Sequence, residues 1–241
     1  MADELSYIVF TDFDGTITHN DIGDTMFKVF GNPEESAMAF RESNEGRIGV
    51  QESWRRSCAT VELLSRNAFE SFVELQEIDA GFHSFERYCS EKSIPVNILS
   101  DGFDLYIRHV LQREQLGHLP FYSNELTIEP DGTITPRFPY SDAECMRCAN
   151  CKRNHLLTKS SDESVIVYIG NGRSDQCPSR YADVVFAKGS LLRYCEQENI
   201  TYHRFETFDD VLAKFKTIVE RGRPRKHRTA ELARKEIFMQ G

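Results

Sequence analysis

The sequence predicts an α/β fold: a doubly wound parallel-sheet core with an inserted helical cap domain. Three observations lead there. Apolar runs of strand length at 7–11, 96–100, 165–170 and 183–187 alternate with stretches of helical period. Two of these runs, Val-Asn-Ile-Leu-Ser and Val-Ile-Val-Tyr-Ile-Gly, are nearly continuous in apolar residues, as in strands covered on both faces. Between the first and second runs lie roughly seventy residues of helical periodicity with few strand signals.

The first run carries Ile8-Val9-Phe10 directly into Thr11-Asp12-Phe13-Asp14-Gly15-Thr16. Alternate residues of an extended chain point the same way, so Asp12 and Asp14 can address one ligand, and Gly15 allows a sharp turn. The stretch that follows predicts helices over 24–30, 34–42, 50–58, 67–75 and 82–91, with Ser65 as N-cap of the fourth. Residues 19–93 therefore read as a helical cap able to close over a crevice and exclude water. The core then comprises 1–18 and 94–220. Residues 125–135 alternate around Asp131-Gly132 and predict a β-hairpin. An amphipathic helix is predicted over 207–220, with Phe208, Val211, Leu212, Phe215, Ile218 and Val219 on its apolar stripe. The basic run 221–228 and a helix-prone segment to Ile237 predict a flexible, solvated C-terminal tail over 221–241.

Composition narrows the function. With 241 residues, 40% hydrophobic and 28% charged, the chain can bury one main core and a satellite domain. It has no run of about 18 apolar residues and no basic-then-apolar amino terminus, so no membrane span or secretory signal is expected and the default location is cytoplasmic. Twenty-nine basic against 38 acidic residues leave a net charge of −9, which argues against a duplex nucleic-acid partner. Seven cysteines, an odd number, argue against a secreted disulfide framework. The expected partner is a small molecule; the assembly allowed for is a homodimer.

Ligands of open α/β sheets bind outside the carboxyl ends of the strands, so Asp12, Ser100 and the loop after Gly170 are expected at one crevice. A carboxylate beside a divalent cation can attack phosphorus, and a second carboxyl two residues on can act as general acid and then base. Four signals follow in order: Asp12-Phe13-Asp14-Gly15-Thr16, Ser100, Lys152, and Gly170-Asn171-Gly172-Arg173-Ser174-Asp175. Over roughly residues 7–205 this series resembles the haloacid dehalogenase superfamily of phosphohydrolases, whose core is Rossmann-like, and within it the phosphoserine-phosphatase-like branch with a helical cap.

The resemblance implies a Mg²⁺-dependent phosphomonoester phosphatase. Asp12 would be nucleophile and metal ligand. Asp14 would be acid and base, with its backbone carbonyl on the metal. Ser100 and Lys152 would bind the phosphoryl oxygens, helped by the N–H groups of Asp101 and Gly102. Asn171 and Asp175 would complete the metal site. Asn171 departs from the family, which usually has an acidic residue there, and an amide brings no charge to the cation. Alternatives that remain open are a phosphoserine phosphatase or phosphotransferase using the same intermediate, and a catalytically weak phosphate-binding protein. Asn20, Asp21, Asp24, Phe27, Arg47 and Trp54 are candidate substrate contacts from the cap. Cys145, Cys148 and Cys151, with His155 or Cys177, have spacing that could hold a structural Zn²⁺, and reduced thiols packed near Lys152 explain them equally well.

Overall fold

The computed structural model describes residues 5–143, 145–222 and 225–240. The chain opens with β1 (Ser6–Thr11), buried after its first residue. Helices α1 (Ile22–Phe30), α2 (Pro33–Asn44), α3 (Val50–Ala59), α4 (Arg66–Glu74) and α5 (Gly81–Glu91) follow. Local chemistry starts several of them. The Asp21 side chain accepts the Asp24 N–H at 2.8 Å, and Asn32 accepts from Glu34 and Glu35 with Pro33 in the first turn. Ser65 caps α4 as expected, accepting the Ala68 N–H at 3.5 Å.

The chain continues through β2 (Val96–Phe103), α6 (Asp104–Arg113), β3 (Phe121–Ile128), β4 (Ile134–Arg137) and α7 (Lys152–Lys159). Then come β5 (Ser164–Gly170), α8 (Gln176–Ser179), β6 (Val184–Ala187), α9 (Gly189–Gln197), β7 (His203–Arg204), α10 (Phe208–Glu220) and α11 (Arg228–Gln240). Thr207 and Asp210 form a reciprocal capping box at the start of α10.

Two compact units result. The first comprises Met1–Ile17, Ile78–Leu99 and Lys152–Gly241; the second comprises Thr18–Glu77 and Ser100–Cys151. In the first, parallel strands run in the order β2-β1-β5-β6-β7, with β1 and β5 buried along almost their whole length. This is the doubly wound α/β core that the apolar runs predict. Helix α5 belongs here rather than with the expected cap over 19–93. Its Phe82 and Phe85 pack on Phe208 of α10, at 4.8 and 5.4 Å between ring centroids, and Phe85 also meets Phe215. Burying these rings outweighs sequence proximity to the other helices.

The expected flexible tail is also different in its described part, residues 223, 224 and 241 lying outside the described residues. Ala230 and Arg234 of α11 are buried. The Arg234 guanidinium donates to the Tyr181 carbonyl and to Asp183 Oδ1, the latter at 3.0 Å. Asp183 also accepts the N–H groups of His227 and Ile166 at 2.8 Å, tying this segment to β5.

The second unit holds α1 to α4 and the β3–β4 hairpin, which pairs Thr127 with Thr135 and Ile128 with Ile134 around the Asp131-Gly132 turn as predicted. Its centre is aromatic: Trp54 lies within 5.9 Å, centroid to centroid, of Phe27, Phe40 and Phe103. Among the described residues no helix is long and apolar enough to cross a membrane.

Replacing Arg234 by Ala leaves Asp183 buried without its cation. Stability should fall by about 1–3 kcal/mol, read from the midpoint of urea unfolding.

Candidate active site

Strand register creates the site in the first unit. Thr11 pairs with Ile169 in parallel, and the Asp12 N–H donates to the Ile169 carbonyl at 2.9 Å, so Asp12 and Gly170 leave the sheet side by side. Lys152, the first residue of α7, is 1% exposed, and Asp12 and Asp175 are 4% and 0% exposed. The Lys152 ammonium donates to Asp12 Oδ1 at 2.6 Å and to Asp175 Oδ1 at 2.7 Å.

Two carboxylates share one ammonium in a place that water barely reaches. Burial, with the Asp175 charge beside it, pushes Asp12 up to about 7 despite Lys152. Burial alone would discharge Lys152, but the two carboxylates more than offset it and its pKa is raised. The buried Thr16 hydroxyl lies near enough to Asp12 to favour its ionised form, yet it makes no well-aligned hydrogen bond. Lys188, directly after β6, is a further cation in the field of Asp12; burial lowers its pKa, while Asp79 and Asp12 pull it back up. Its position after a strand end was the only sequence signal for it.

Asp175 differs from the expected metal ligand. Besides Lys152, its Oδ1 accepts the Tyr168 hydroxyl at 2.6 Å, and Oδ2 accepts the Asn171 and Gly172 N–H groups at 2.9 and 2.8 Å. A carboxylate has about four acceptor positions, and all four are filled. The carboxylate lies so close over the strand end that a Cβ at Gly170 would come within 2.6 Å of it. Sequence reasoning missed Tyr168, which reads as an ordinary apolar strand residue.

Asp14 and Asn171 meet through the backbone: Asn171 Nδ2 is 3.2 Å from the Asp14 carbonyl oxygen. Gly15 has φ +69°, and a Cβ there would approach Asn171 Nδ2 to 2.4 Å, so only glycine lets the two loops approach. A hard divalent cation seeks oxygen donors. The Asp12 carboxylate and the Asp14 main-chain carbonyl offer such oxygens; the Asn171 amide, whose nitrogen donates to that carbonyl, would join them with its oxygen once turned about. Burial, and after it the Asp175 charge, raises the Asp12 pKa, and a cation beside the carboxylate would favour its ionised form.

Ser100, Asp101 and Gly102 belong to the second unit, where their immediate contacts differ from the expected ones. The Gly102 N–H donates to Ser100 Oγ at 2.9 Å, orienting the hydroxyl. The Asp101 carboxylate accepts the Ala149 and Asn150 N–H groups at 2.9 and 2.7 Å. The buried Asn150 amide donates to the Ser100 and Tyr122 carbonyls, both at 2.8 Å. Sequence reasoning missed Asn150 as well, because an asparagine between cysteines carries no distinctive pattern.

The cysteine segment is thus a clasp for the Ser100 loop, and the expected zinc is not supported. Among the described residues no group of three or more His, Cys, Asp and Glu side chains is arranged to hold a metal. The buried Cys148 thiol is raised by its hydrogen bond with Cys151, then by burial and the nearby Asp101 charge; Cys151 Sγ also lies 3.9 Å from Asp142 Oδ2. The candidate substrate contacts have local partners too. Asp21 caps α1, Asp24 pairs with Lys28, Arg47 pairs with Glu45 on the surface, Phe27 and Trp54 pack on each other, and Asn20 is exposed.

The family described as haloacid dehalogenase-like hydrolase matches residues 9–177. A 2-hydroxy-3-keto-5-methylthiopentenyl-1-phosphate phosphatase of Bacillus cereus is 31% identical over 223 residues, spanning 90% of this chain and 99% of the relative. A Bacillus mycoides protein of the same name is 30% identical over 219 residues, with the same coverage. A phosphoserine phosphatase structure holding an analogue of its phospho-aspartyl intermediate aligns at TM-score 0.66 and 17% identity, covering 88% of this chain and 99% of that one. The phosphoserine phosphatase of T. onnurineus aligns at TM-score 0.65 and 16% identity, covering 90% and 97%. At such identities the structural likeness speaks for the fold alone.

His155, considered above for zinc, is buried on α7, and burial with the Lys159 charge lowers its pKa to about 4. Between that value and the ordinary ~6.5 the unfolded chain binds a proton that the native one refuses. Stability from this group is therefore complete above about 6.5 and is lost as pH falls toward 4. His155→Gln should flatten that part of the pH–stability curve, measured by urea unfolding at a series of pH values.

Proposed function

The chain belongs to the haloacid dehalogenase-like hydrolase family, and from that premise we propose that it hydrolyses a small phosphate monoester through an aspartyl phosphate on Asp12. Phosphatases of this family typically use Mg²⁺ and such an intermediate. The observation that carries the reading is the buried Lys152 ammonium bonded to both Asp12 and Asp175.

Asp12 Oδ forms a bond to phosphorus as the ester P–O bond breaks, and Asp14 gives its proton to the departing alkoxide. Asp14 then takes a proton from water, whose oxygen attacks the phosphorus of the acyl phosphate; the P–O bond to Asp12 breaks and inorganic phosphate leaves. Phosphoryl transfer rests on positioning and neutralised charge. Lys152 donates to a phosphoryl oxygen with the proton that Asp12 and Asp175 do not hold. Ser100 donates its hydroxyl proton to another, its oxygen oriented by the Gly102 N–H. Asp12, the Asp14 carbonyl and the Asn171 side chain would hold Mg²⁺, which when bound would supply positive charge near the phosphoryl oxygens. Asp175 anchors Lys152.

For the substrate, the curated relatives favour a small keto-phosphate of the methylthiopentenyl kind. Phospho-amino-alcohols remain in the proposed class. A panel of phosphate esters assayed with Mg²⁺ tests this; no turnover of any member would overturn it.

Asp12→Asn should lower kcat on the order of 10³-fold or more, and acid-quenched samples should lose the phosphorylated species seen by mass spectrometry in the wild type. Asn171→Asp adds a charge to the cation site and should tighten Mg²⁺ binding about tenfold, measured by calorimetry without substrate.

A further inference from the structure

We propose that Tyr168 is a positioning residue for phosphoryl transfer, governing through Asp175 how the Lys152 ammonium is shared; this rests on the role proposed for Asp12. Tyr168 lies on β5, two residues before Gly170, and is fully buried. Its hydroxyl donates to Asp175 Oδ1 at 2.6 Å, the same oxygen that receives Lys152 Nζ at 2.7 Å. No other side chain shares that oxygen among the hydrogen bonds described above.

The hydroxyl dipole offsets part of the charge on Oδ1, so Asp175 draws the ammonium less strongly than a carboxylate facing Lys152 alone would. The outcome is near balance: Nζ stands 2.6 Å from Asp12 and 2.7 Å from Asp175. Balance matters once Asp12 is esterified. Its carboxylate charge is then gone into the new P–O bond, and an ammonium free to collapse onto Asp175 would leave the phosphoryl oxygens. With Tyr168 occupying part of Oδ1, the ammonium keeps its place. The alternative is that Asp175 merely satisfies a buried phenol, in which case loss of the hydroxyl changes stability without touching turnover.

Tyr168→Phe removes the donor and keeps the ring. Wild type and variant are compared below both unfolding midpoints, for kcat and KM with an ester that the wild type hydrolyses and for Mg²⁺ affinity by calorimetry. Expected is a fall in kcat of about tenfold, with KM and Mg²⁺ affinity unchanged. In an Asp175→Asn background the same substitution should add no further loss, because the two act as a unit. Equal kcat for wild type and Tyr168→Phe, or an undiminished loss in the Asp175→Asn background, overturns the positioning role alone. A wild type inactive on every ester would instead overturn the reading of Asp12, and this inference with it.

Discussion

Two carboxylates holding one ammonium out of water is the constraint around which the first unit is organised. Asp12 and Asp175 repel each other, and Lys152 compensates only one of them. A buried charge without enough partners is expensive, and the chain answers with geometry. Asp175 is surrounded by donors from a strand side chain, a helix lysine and two backbone amides of its own loop. Asp12 keeps the deficit, visible as a carboxyl pushed up to about 7. A residue in that condition is poised for chemistry that neutralises it, by a cation or by bond formation to phosphorus.

That cluster dictates small residues around it. Gly15 and Gly170 are positions where any side chain would strike Asn171 or Asp175. Asn171 puts a neutral amide beside the Asp14 carbonyl.

The second unit solves a different problem, holding the Ser100 loop in shape. Asp101 and Asn150 cross-connect β2, β3 and the segment from Cys148 to Cys151 by five hydrogen bonds, two of them backbone N–H groups donating to the Asp101 carboxylate and one the Asn124 amide donating to the Asp101 carbonyl. The cysteines flank this clasp and fill buried space beside it. Their spacing resembles a metal site only because tight turns and metal knuckles both bring residues three apart together.

The sequence by itself determined the strands and the residues at their ends, because burial on both faces demands continuous apolar runs and a parallel sheet exposes its chemistry where those runs stop. Asp12, Asp14, Ser100 and the 170–175 loop were legible for that reason, whereas Lys152, the first residue of α7, stood out only through the ordered series of motifs. What tertiary structure alone decided is who partners whom. Tyr168 and Asn150 carry no local signature, yet strand register and loop closure bring their polar atoms to Asp175 and to the Ser100 loop. Likewise α5 joins α10, and α11 folds back through Arg234, because burying rings and pairing a charge depend on neighbours distant in the chain. Periodicity reports which face of an element is apolar; only packing decides what that face meets.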